Sequence, residues 1–256
     1  MKTWIRRIGW FAAALGGVVT LLAVGGYLFL NEARPEGVTD SAADALAKEM
    51  IGSVDADAWA RTGAITWTYA DRYTHLWDRE RHLVRVQRGG WEALVDLNRV
   101  QGVASIDGVR LEGADRDEAV LAGFAAWAND SFWLQAMNKA FDGGTTRARV
   151  PQPDGRDALL VAYSSGGVTP GDAYLWHLDE TGRPVSWQMW VSIIPVGGLS
   201  ATWEDWVQLR TGAWVSTRHA LGPLEIAVTD LDGAETLGEL VPGADPFAEL
   251  VQAVGP

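Results

Sequence analysis

The sequence contains no cysteine, and this absence removes several classes of chemistry. Disulfide frameworks, cysteine-ligated zinc sites and catalysis by a thiol are all excluded. A lipoprotein signal is excluded as well, because it needs a cysteine to carry the lipid. The compartment is not defined by this absence, since an exported domain can fold without disulfides.

Basic residues are scarce in the main part of the chain. From residue 31 onwards there are 18 basic and 33 acidic residues. A body with this negative balance repels a phosphate backbone, because general nucleic-acid binding depends on clustered positive charge. We therefore expect no nucleic-acid partner.

Residues that carry out catalysis or bind metal are few. Only four histidines occur, and none lies in a zinc-binding pattern such as H-E-x-x-H. Ser164 and Ser165 lack the G-x-S-x-G pattern of a nucleophile elbow, so we interpret residues 164–167 as a glycine-rich turn. The sequence predicts no metal site, no cofactor and no enzymatic activity. A hydrolase that uses the loop of residues 164–172 is the catalytic alternative.

A long apolar run stands near the start of the chain. Residues 8–30 carry no charge and number 23, enough to cross a ~30 Å bilayer at ~1.5 Å per helical residue. A cleaved signal peptide is the alternative, but its apolar core is shorter and ends in small residues, whereas bulky residues occupy positions 27–30. We predict that residues 1–30 are a cytoplasmic tip and an uncleaved transmembrane anchor.

The orientation of this anchor follows from the charges that flank it. Lys2, Arg6 and Arg7 precede the run, and positive residues remain on the cytoplasmic side. We therefore expect a single-pass protein of the cytoplasmic (inner) membrane, with residues 8–30 in the bilayer. Its carboxyl-terminal domain would lie in the periplasm or outside the cell.

The remaining chain is predicted to consist of a linker over residues 31–38 and one β-rich domain over residues 39–256. A helix over residues 40–51 is followed by segments in which apolar and polar residues alternate. Their connectors are short and contain Gly or Asp, which favours antiparallel hairpins because a parallel crossover needs about a dozen residues or more. These features predict one strongly curved antiparallel sheet.

The alternation stops in residues 115–141, where apolar residues recur at helical spacing. Asn129, Asp130 and Ser131 offer a break and a new N-cap. We predict two consecutive helices inserted into the sheet at this point. The fold class is therefore α+β and mainly antiparallel β.

Tryptophan is abundant: 12 of the 14 tryptophans follow residue 30, and most lie on predicted strands. Strand parity places Trp187 and Met189 on one face, and on the next strand it places Trp203 and Val207 opposite Trp206. Such a face either fills a core or lines a cavity, and the sequence does not separate the two.

The least charged face should be the concave one, because helices that cover it leave little water to solvate an ion. We predict that strand residues of this face and aromatic residues of the inserted helices form an apolar ligand-binding cavity. These residues are Trp67, Trp77, Trp176, Trp187, Met189 and Trp203 from the strands, and Phe124, Trp127, Phe132 and Trp133 from the helices.

Two stretches resemble the LolA/LolB-like lipoprotein-carrier superfamily. Residues 174–187 read YLWHLDETGRPVSW, and residues 206–210 are followed by Gly-Ala-Trp at residues 212–214. The order of predicted elements over residues 40–230 is also similar. The resemblance implies an unclosed β-barrel, or half-barrel, with helices on its concave side and a cavity for acyl chains. It identifies no individual functional residue.

This superfamily contains a soluble carrier with a cleaved signal and an outer-membrane receptor with a lipidated cysteine. The chain differs from both types. The leading hypothesis is a membrane-anchored, extracytoplasmic domain that binds an acyl chain, a lipid or a lipoprotein. A structural domain of the cell envelope, with a filled core and an envelope protein partner, is the alternative. A cavity above ~300 Å³ lined by tryptophan would favour binding.

Overall fold

The computed structural model describes residues 31–165 and 171–255 of the chain. The predicted anchor and cytoplasmic tip at residues 1–30 lie outside the described residues. Within the two described ranges, no helix combines the length and the apolar character needed to cross a membrane.

Two short helices open the described domain. Helix α1 (Ser41–Ser53) is capped by Asp40, whose carboxylate accepts hydrogen bonds from the backbone amides of Ala42 and Ala43. Helix α2 (Ala56–Arg61) is capped in the same way by Asp55. The apolar side of α1 is buried, as its helical spacing predicts.

The described residues form fourteen strands. Their bounds are β1 (Ala64–Tyr69), β2 (Tyr73–Asp78), β3 (Leu83–Arg88), β4 (Trp91–Asp96), β5 (Gln101–Ile106), β6 (Val109–Arg110), β7 (Thr145–Pro151), β8 (Asp157–Tyr163), β9 (Ala173–Leu178), β10 (Pro184–Trp190), β11 (Leu199–Thr202), β12 (Glu204–Gln208), β13 (Trp214–Leu221) and β14 (Leu224–Ala234).

These strands form two antiparallel sheets, so the prediction of a single sheet is wrong: the chain passes from one sheet to the other at Trp203, between β11 and β12. The larger sheet has the order β12-β13-β14-β1-β2-β3-β4-β5-β6, and the smaller one has the order β11-β10-β9-β8-β7. Strand β14 returns to pair with β1, which brings the end of the domain back to its beginning. Strands β6 and β7 are the outer edges and do not pair with each other, so the barrel is unclosed.

Residues 199–208 connect the two sheets. Strand β11 pairs with β10, and β12 pairs with β13, with Trp203 between the two halves. Asp205 has a left-handed backbone (φ 52°), and the alternation of side chains changes there. Trp206 consequently contacts Trp203, at 6.0 Å between ring centroids, while Val207 is 41% exposed. The predicted faces of Trp206 and Val207 are therefore wrong.

The helical insertion is a single long helix rather than two. Helix α3 (Gly113–Gln135) continues through the predicted break at residues 129–131 and is followed by a 3₁₀ turn (Ala136–Lys139). The predicted break is wrong because the Asp130 carboxylate does not cap a new helix. It is buried and lies 2.7 Å from His75 Nε2 on strand β2.

The two sheets and helix α3 share one interior. Trp133 of α3 and Met137 of the 3₁₀ turn belong to the same buried cluster as Trp176 and Trp187 of the smaller sheet. Short helices α4 (Leu237–Leu240) and α5 (Ala248–Val254) cover the opposite face of the larger sheet. The prediction of a mainly antiparallel, unclosed α+β fold is confirmed, and the arrangement is consistent with a half-barrel.

Candidate functional site

A cavity of about 1070 Å³ lies along helix α3. Its wall is formed by α1 and α2, by one side of α3 and by strands of both sheets. Pockets for small ligands commonly measure about 300–1,000 Å³, so the space is large enough for an extended apolar molecule. Protein interiors are otherwise close-packed, with few voids larger than a water molecule.

The structure divides the ten predicted site residues into two groups. Seven of them line the cavity: Trp77, Phe124, Trp127, Phe132, Trp133, Trp187 and Met189. The other three, Trp67, Trp176 and Trp203, are fully buried in the core and are not part of the wall. A ligand-binding role for any of these residues stays a prediction.

One part of the wall consists of half-buried aromatic rings between α3 and the larger sheet. Trp127 meets Trp77 edge to face, with 5.1 Å between ring centroids, and lies 5.8 Å from Phe124. Gly123 lets α3 approach strand β4, because a Cβ at this position would lie 2.9 Å from the Cβ of Ala93. The helix is thus held close to β4, while the rings that follow Gly123 border the open space.

The other part of the wall faces the smaller sheet. Phe132 of α3 lies 5.0 Å from Tyr174 and 5.9 Å from Trp187, measured between ring centroids. Met189 lies two residues beyond Trp187 on the same face of β10. These side chains form an apolar surface with strongly polarisable atoms, which adapts to alkyl chains.

Trp133 and Trp187 of the wall also belong to a packed aromatic cluster, which continues behind the wall with Trp176, Trp203 and His219. Ring centroids in it are 4.6 Å to 6.3 Å apart. Burial lowers the pKa of His219 to about 4, so its ring is neutral at physiological pH and packs as an aromatic side chain.

A buried polar pair fixes helix α3 to the sheet. His75 of β2 and Asp130 of α3 are both buried and hydrogen-bonded at 2.7 Å. Asp130 also accepts a hydrogen bond from the Asn129 side chain at 2.9 Å, and the His75 ring stacks on Trp67 at 4.4 Å. The pair acts as a fixed point that sets the distance between helix and sheet beside the cavity.

A positive charge is present in the wall. The Arg79 guanidinium lies 4.3 Å from the ring centroid of Trp59 and 5.3 Å from that of Trp77. Its Nη1 donates to the carbonyl of Trp59 at 2.5 Å and to the carbonyl of Thr62. No carboxylate of the described residues forms an ion pair with it. Burial lowers the pKa of Arg79 to about 10, so the group remains charged at neutral pH.

The remaining polar groups of the wall are mostly neutral. Burial is the largest cause that raises the pKa of Tyr69, Tyr163 and Tyr174, and a nearby aspartate adds to each rise. Within the described part of the chain, the Tyr163 hydroxyl and the indole N–H groups of Trp77 and Trp127 have no hydrogen-bond partner. The wall is therefore mainly apolar, with these donors and with the side chains of Lys139, Asp142 and Asp172 as its other ionisable groups besides Arg79 and the tyrosines.

The loop considered for hydrolysis uses its hydroxyls to hold the backbone. Ser164 Oγ donates to the carbonyl of Gly144 at 2.8 Å, and Ser165 Oγ donates to the carbonyl of Gly143 at 3.4 Å. Asp172 Oδ1 accepts a hydrogen bond from the Ser192 amide at 2.9 Å. Residues 166–170 of this loop lie outside the described residues.

No protein-family model and no curated protein matches the sequence. The chain is similar in structure to a DUF1329 family protein from Desulfovibrio piger, with 9% identity, a TM-score of 0.41, and coverage of 82% of this chain and 97% of that one. It is also similar to a domain from Vibrio parahaemolyticus described as an outer membrane lipoprotein-sorting protein, with 9% identity, a TM-score of 0.30, and coverage of 78% and 95%.

The Vibrio domain is described as a lipoprotein-sorting protein, the class of protein that residues 174–187 of this chain resemble in sequence. The likeness concerns the arrangement of strands and helices. What the chain binds has to be inferred from its own cavity.

Sequence reasoning missed most of the other wall residues, and three of them bear on the chemistry of the cavity: Trp59, Tyr69 and Arg79. Trp59 lies on a short helix, and Arg79 lies in a charged turn that is typical of a solvent-exposed hairpin. The one feature of the sequence that could have indicated Arg79 is its position two residues after Trp77. This spacing predicts a cation–π contact between the two side chains only if the turn folds towards the interior.

Proposed function

We propose that this chain is a membrane-tethered, extracytoplasmic domain that binds the acyl chain of a lipid or lipoprotein in the cavity along α3. The observation that supports this proposal is the cavity itself, about 1070 Å³ of space bordered by half-buried aromatic side chains. Aromatic residues that served only as a core would be packed against one another, as Trp176 and Trp203 are, and would not be left half-buried beside a space that opens to solvent.

The chemistry of the wall favours a long alkyl chain. Each methylene group moved from water into an apolar surrounding contributes ~0.8 kcal/mol. Binding should therefore strengthen with chain length until the cavity is filled. Aromatic side chains and Met189 offer contact area without a fixed hydrogen-bond pattern, which suits a flexible alkyl ligand.

Arg79 supports an acidic group at one end of the ligand. Lys139, the other cation of the wall, is paired with Asp142 at 2.5 Å. Among the residues that the structure describes, the partners of the Arg79 guanidinium are backbone carbonyls and ring faces. A guanidinium prefers the paired oxygens of a carboxylate or phosphate. The ligand class proposed here is accordingly an amphiphile with an acidic head.

The proposal includes the anchor at residues 8–30 and a location in the periplasm or outside the cell, as the basic residues before the run indicate. It assigns no catalytic activity. The Ser164 hydroxyl is engaged by a backbone carbonyl and lies outside the cavity wall, so Ser164→Ala should leave ligand binding unchanged.

The experiment is photolabelling of the full chain in membranes with a long-chain fatty acid that carries a photoactivatable group near its methyl end. Peptide mapping should find the label on α3 between Phe124 and Phe132 and on β10 near Met189. Label confined to residues 8–30, or absent from the domain, would overturn the proposal.

The charge of the head group is tested with Arg79→Gln and two photolabels of equal length, one an acid and one an alcohol. The parent should prefer the acid, and the variant should lose that preference while it still binds the alcohol. An unchanged ratio of acid to alcohol labelling would show that Arg79 does not contact the head group.

A protein-interaction domain is the second candidate function. Strand β6 is an edge strand, and Ile106 and Val109 beside this edge are exposed. Unpaired edges with apolar side chains can add a strand from another protein. Replacement of Val109 by Lys should abolish capture of such a partner and leave photolabelling of the cavity unchanged.

A further inference from the structure

The β10–β11 hairpin is uncharged over an unusual length. From residue 184 to residue 203 there is no Asp, Glu, Lys or Arg, although the chain as a whole is 21% charged. Its tip, residues 191–198, contains Ile193, Ile194, Pro195 and Val196. Ile193 is 70% exposed. Ile194 packs against the core, so Ile193 and Pro195 are the apolar side chains that the tip exposes. Exposed apolar side chains on an uncharged loop of a charged domain commonly mark a contact surface.

This tip is fastened to the first residues that the structure describes. The Gly197 amide donates to Asn31 Oδ1 at 2.9 Å, and the Glu32 amide donates to the Gly197 carbonyl at 3.0 Å. Trp190 Nε1 donates to the Glu32 carbonyl at 2.8 Å, and Gln188 Nε2 donates to the Glu32 carboxylate at 3.1 Å. These four hydrogen bonds fix residues 31 and 32 against the hairpin.

Residues 31 and 32 directly follow the apolar run, and this position indicates which surface lies next to the tip. The uncharged run of residues 8–30 ends directly before Asn31, and consecutive Cα atoms are only ~3.8 Å apart. If residues 8–30 cross the bilayer, the chain leaves the membrane within a few ångströms of Gly197. The apolar tip must then lie close to the lipid surface.

We propose that the tip of the β10–β11 hairpin, residues 191–198, contacts the outer surface of the same bilayer that holds the anchor and inserts Ile193 into it. This inference rests on the anchor that is part of the proposed function. Trp190 beside the tip fits the same environment, because indole rings favour the boundary between water and lipid.

The same tip is also the rim of the cavity. Val191, Ile193 and Ile194 contribute to the cavity wall, next to Met189 of β10. An acyl chain can therefore pass between the bilayer and the cavity along apolar side chains, without exposure of its full length to water. Contact of the tip with the membrane would place the opening of the cavity next to the bilayer, from which the acyl chain would come.

The absence of cysteine allows a direct test in the full chain. Ile193→Cys and Val109→Cys are labelled with an environment-sensitive fluorophore and reconstituted into vesicles of phosphatidylcholine that contain brominated phosphatidylcholine. Val109 is the matched control, because it is 69% exposed and lies on the β6 edge of the other sheet.

The fluorophore at position 193 should lose most of its emission to the brominated chains and resist quenching by aqueous iodide. The one at position 109 should show the opposite. Equal quenching at the two positions, by either agent, would overturn the proposal. Each labelled protein is first checked for the melting temperature of the parent.

The outcome is distinguishable from that of the proposed function. Lipid quenching at position 193 without photolabelling of the cavity would leave a membrane-contacting hairpin on a domain that binds no acyl chain. Photolabelling of the cavity without quenching at position 193 would leave a binding domain whose ligand arrives by another route. In a Pro195→Glu variant, which places a charge on the exposed tip outside the cavity wall, the transfer of photolabel from vesicles should slow, while labelling from a fatty acid supplied in solution stays unchanged.

Discussion

Two aromatic regions of this domain use the same residue types for different purposes. In the packed aromatic cluster, Trp176 and Trp203 are fully buried away from the cavity, and their ring centroids lie 5.2 Å apart. Along α3, Trp77 and Trp127 meet edge to face at a similar distance of 5.1 Å, yet both border open space.

The difference lies in what stands opposite each group. The packed aromatic cluster lies where residues 199–208 carry the chain from one sheet to the other, so side chains from both sheets converge. Along α3, the helix is held by the His75–Asp130 pair and by its close approach at Gly123. The geometry of the sheets therefore decides whether a tryptophan fills a core or borders a cavity.

The largest effect on stability is expected from the packed aromatic cluster. Trp176→Ala should lower the free energy of unfolding by about 3–5 kcal/mol, because the surrounding rings cannot close the space it leaves. Chemical denaturation of the parent and the variant measures this difference. A loss below about 1 kcal/mol would mean that the cluster is as loosely packed as the cavity wall.

A pH dependence is expected from His219 in the same cluster. Its pKa is about 4 in the folded protein and 6.5 when unperturbed. The unfolded state therefore binds more protons between these values, and stability falls as the pH falls from 6.5 to 4. The loss approaches roughly 3 kcal/mol, at ~1.4 kcal/mol for each pH unit.

The control for this effect is His219→Phe, which keeps a ring in the cluster but cannot titrate. The difference in unfolding free energy between parent and variant should shift in favour of the variant as the pH falls from 6.5 to 4. If the two curves stay parallel over this range, His219 is accessible to water and the cluster is not closed.

The cavity wall should respond more weakly. Trp127→Ala removes the edge-to-face contact with Trp77, which is worth about 0.5–1.5 kcal/mol beyond the area it buries. We expect a smaller loss of unfolding free energy than for Trp176→Ala, together with a clear loss of fatty-acid photolabelling. Equal losses of stability in the two variants would break the comparison between packed cluster and cavity wall.

The strand order of the hairpins could be predicted from the sequence because short connectors leave an antiparallel pair as the only geometry. Strands β5 and β6 were missed, since residues 101–110 mix polar and apolar residues without a clear period. The predicted helix break was wrong because Asp130, a residue that often caps helices, pairs with His75 across the interior. The spacing of neighbouring residues along the chain gives no indication of that contact.

The aromatic character of the candidate site could be predicted from the sequence, but which aromatic residues border the cavity could not. The parity of β10 correctly placed Trp187 and Met189 on the inner face, whereas at Asp205 the left-handed backbone exchanged the faces of Trp206 and Val207. Whether Trp176 or Trp127 borders the cavity depends on where α3 crosses the sheets. That crossing is set by contacts between residues far apart in the chain.

The most direct test of the central claim is to fill the cavity from helix α3. Ala128 lines the cavity, while Ala125, three residues earlier on the same helix, is exposed. Ala128→Trp should abolish labelling of the full chain by the photoactivatable fatty acid and leave the melting temperature close to that of the parent. Ala125→Trp, which adds the same bulk outside the cavity, should be labelled like the parent. Undiminished labelling of Ala128→Trp in a folded protein would contradict the account, because the ligand would then bind elsewhere.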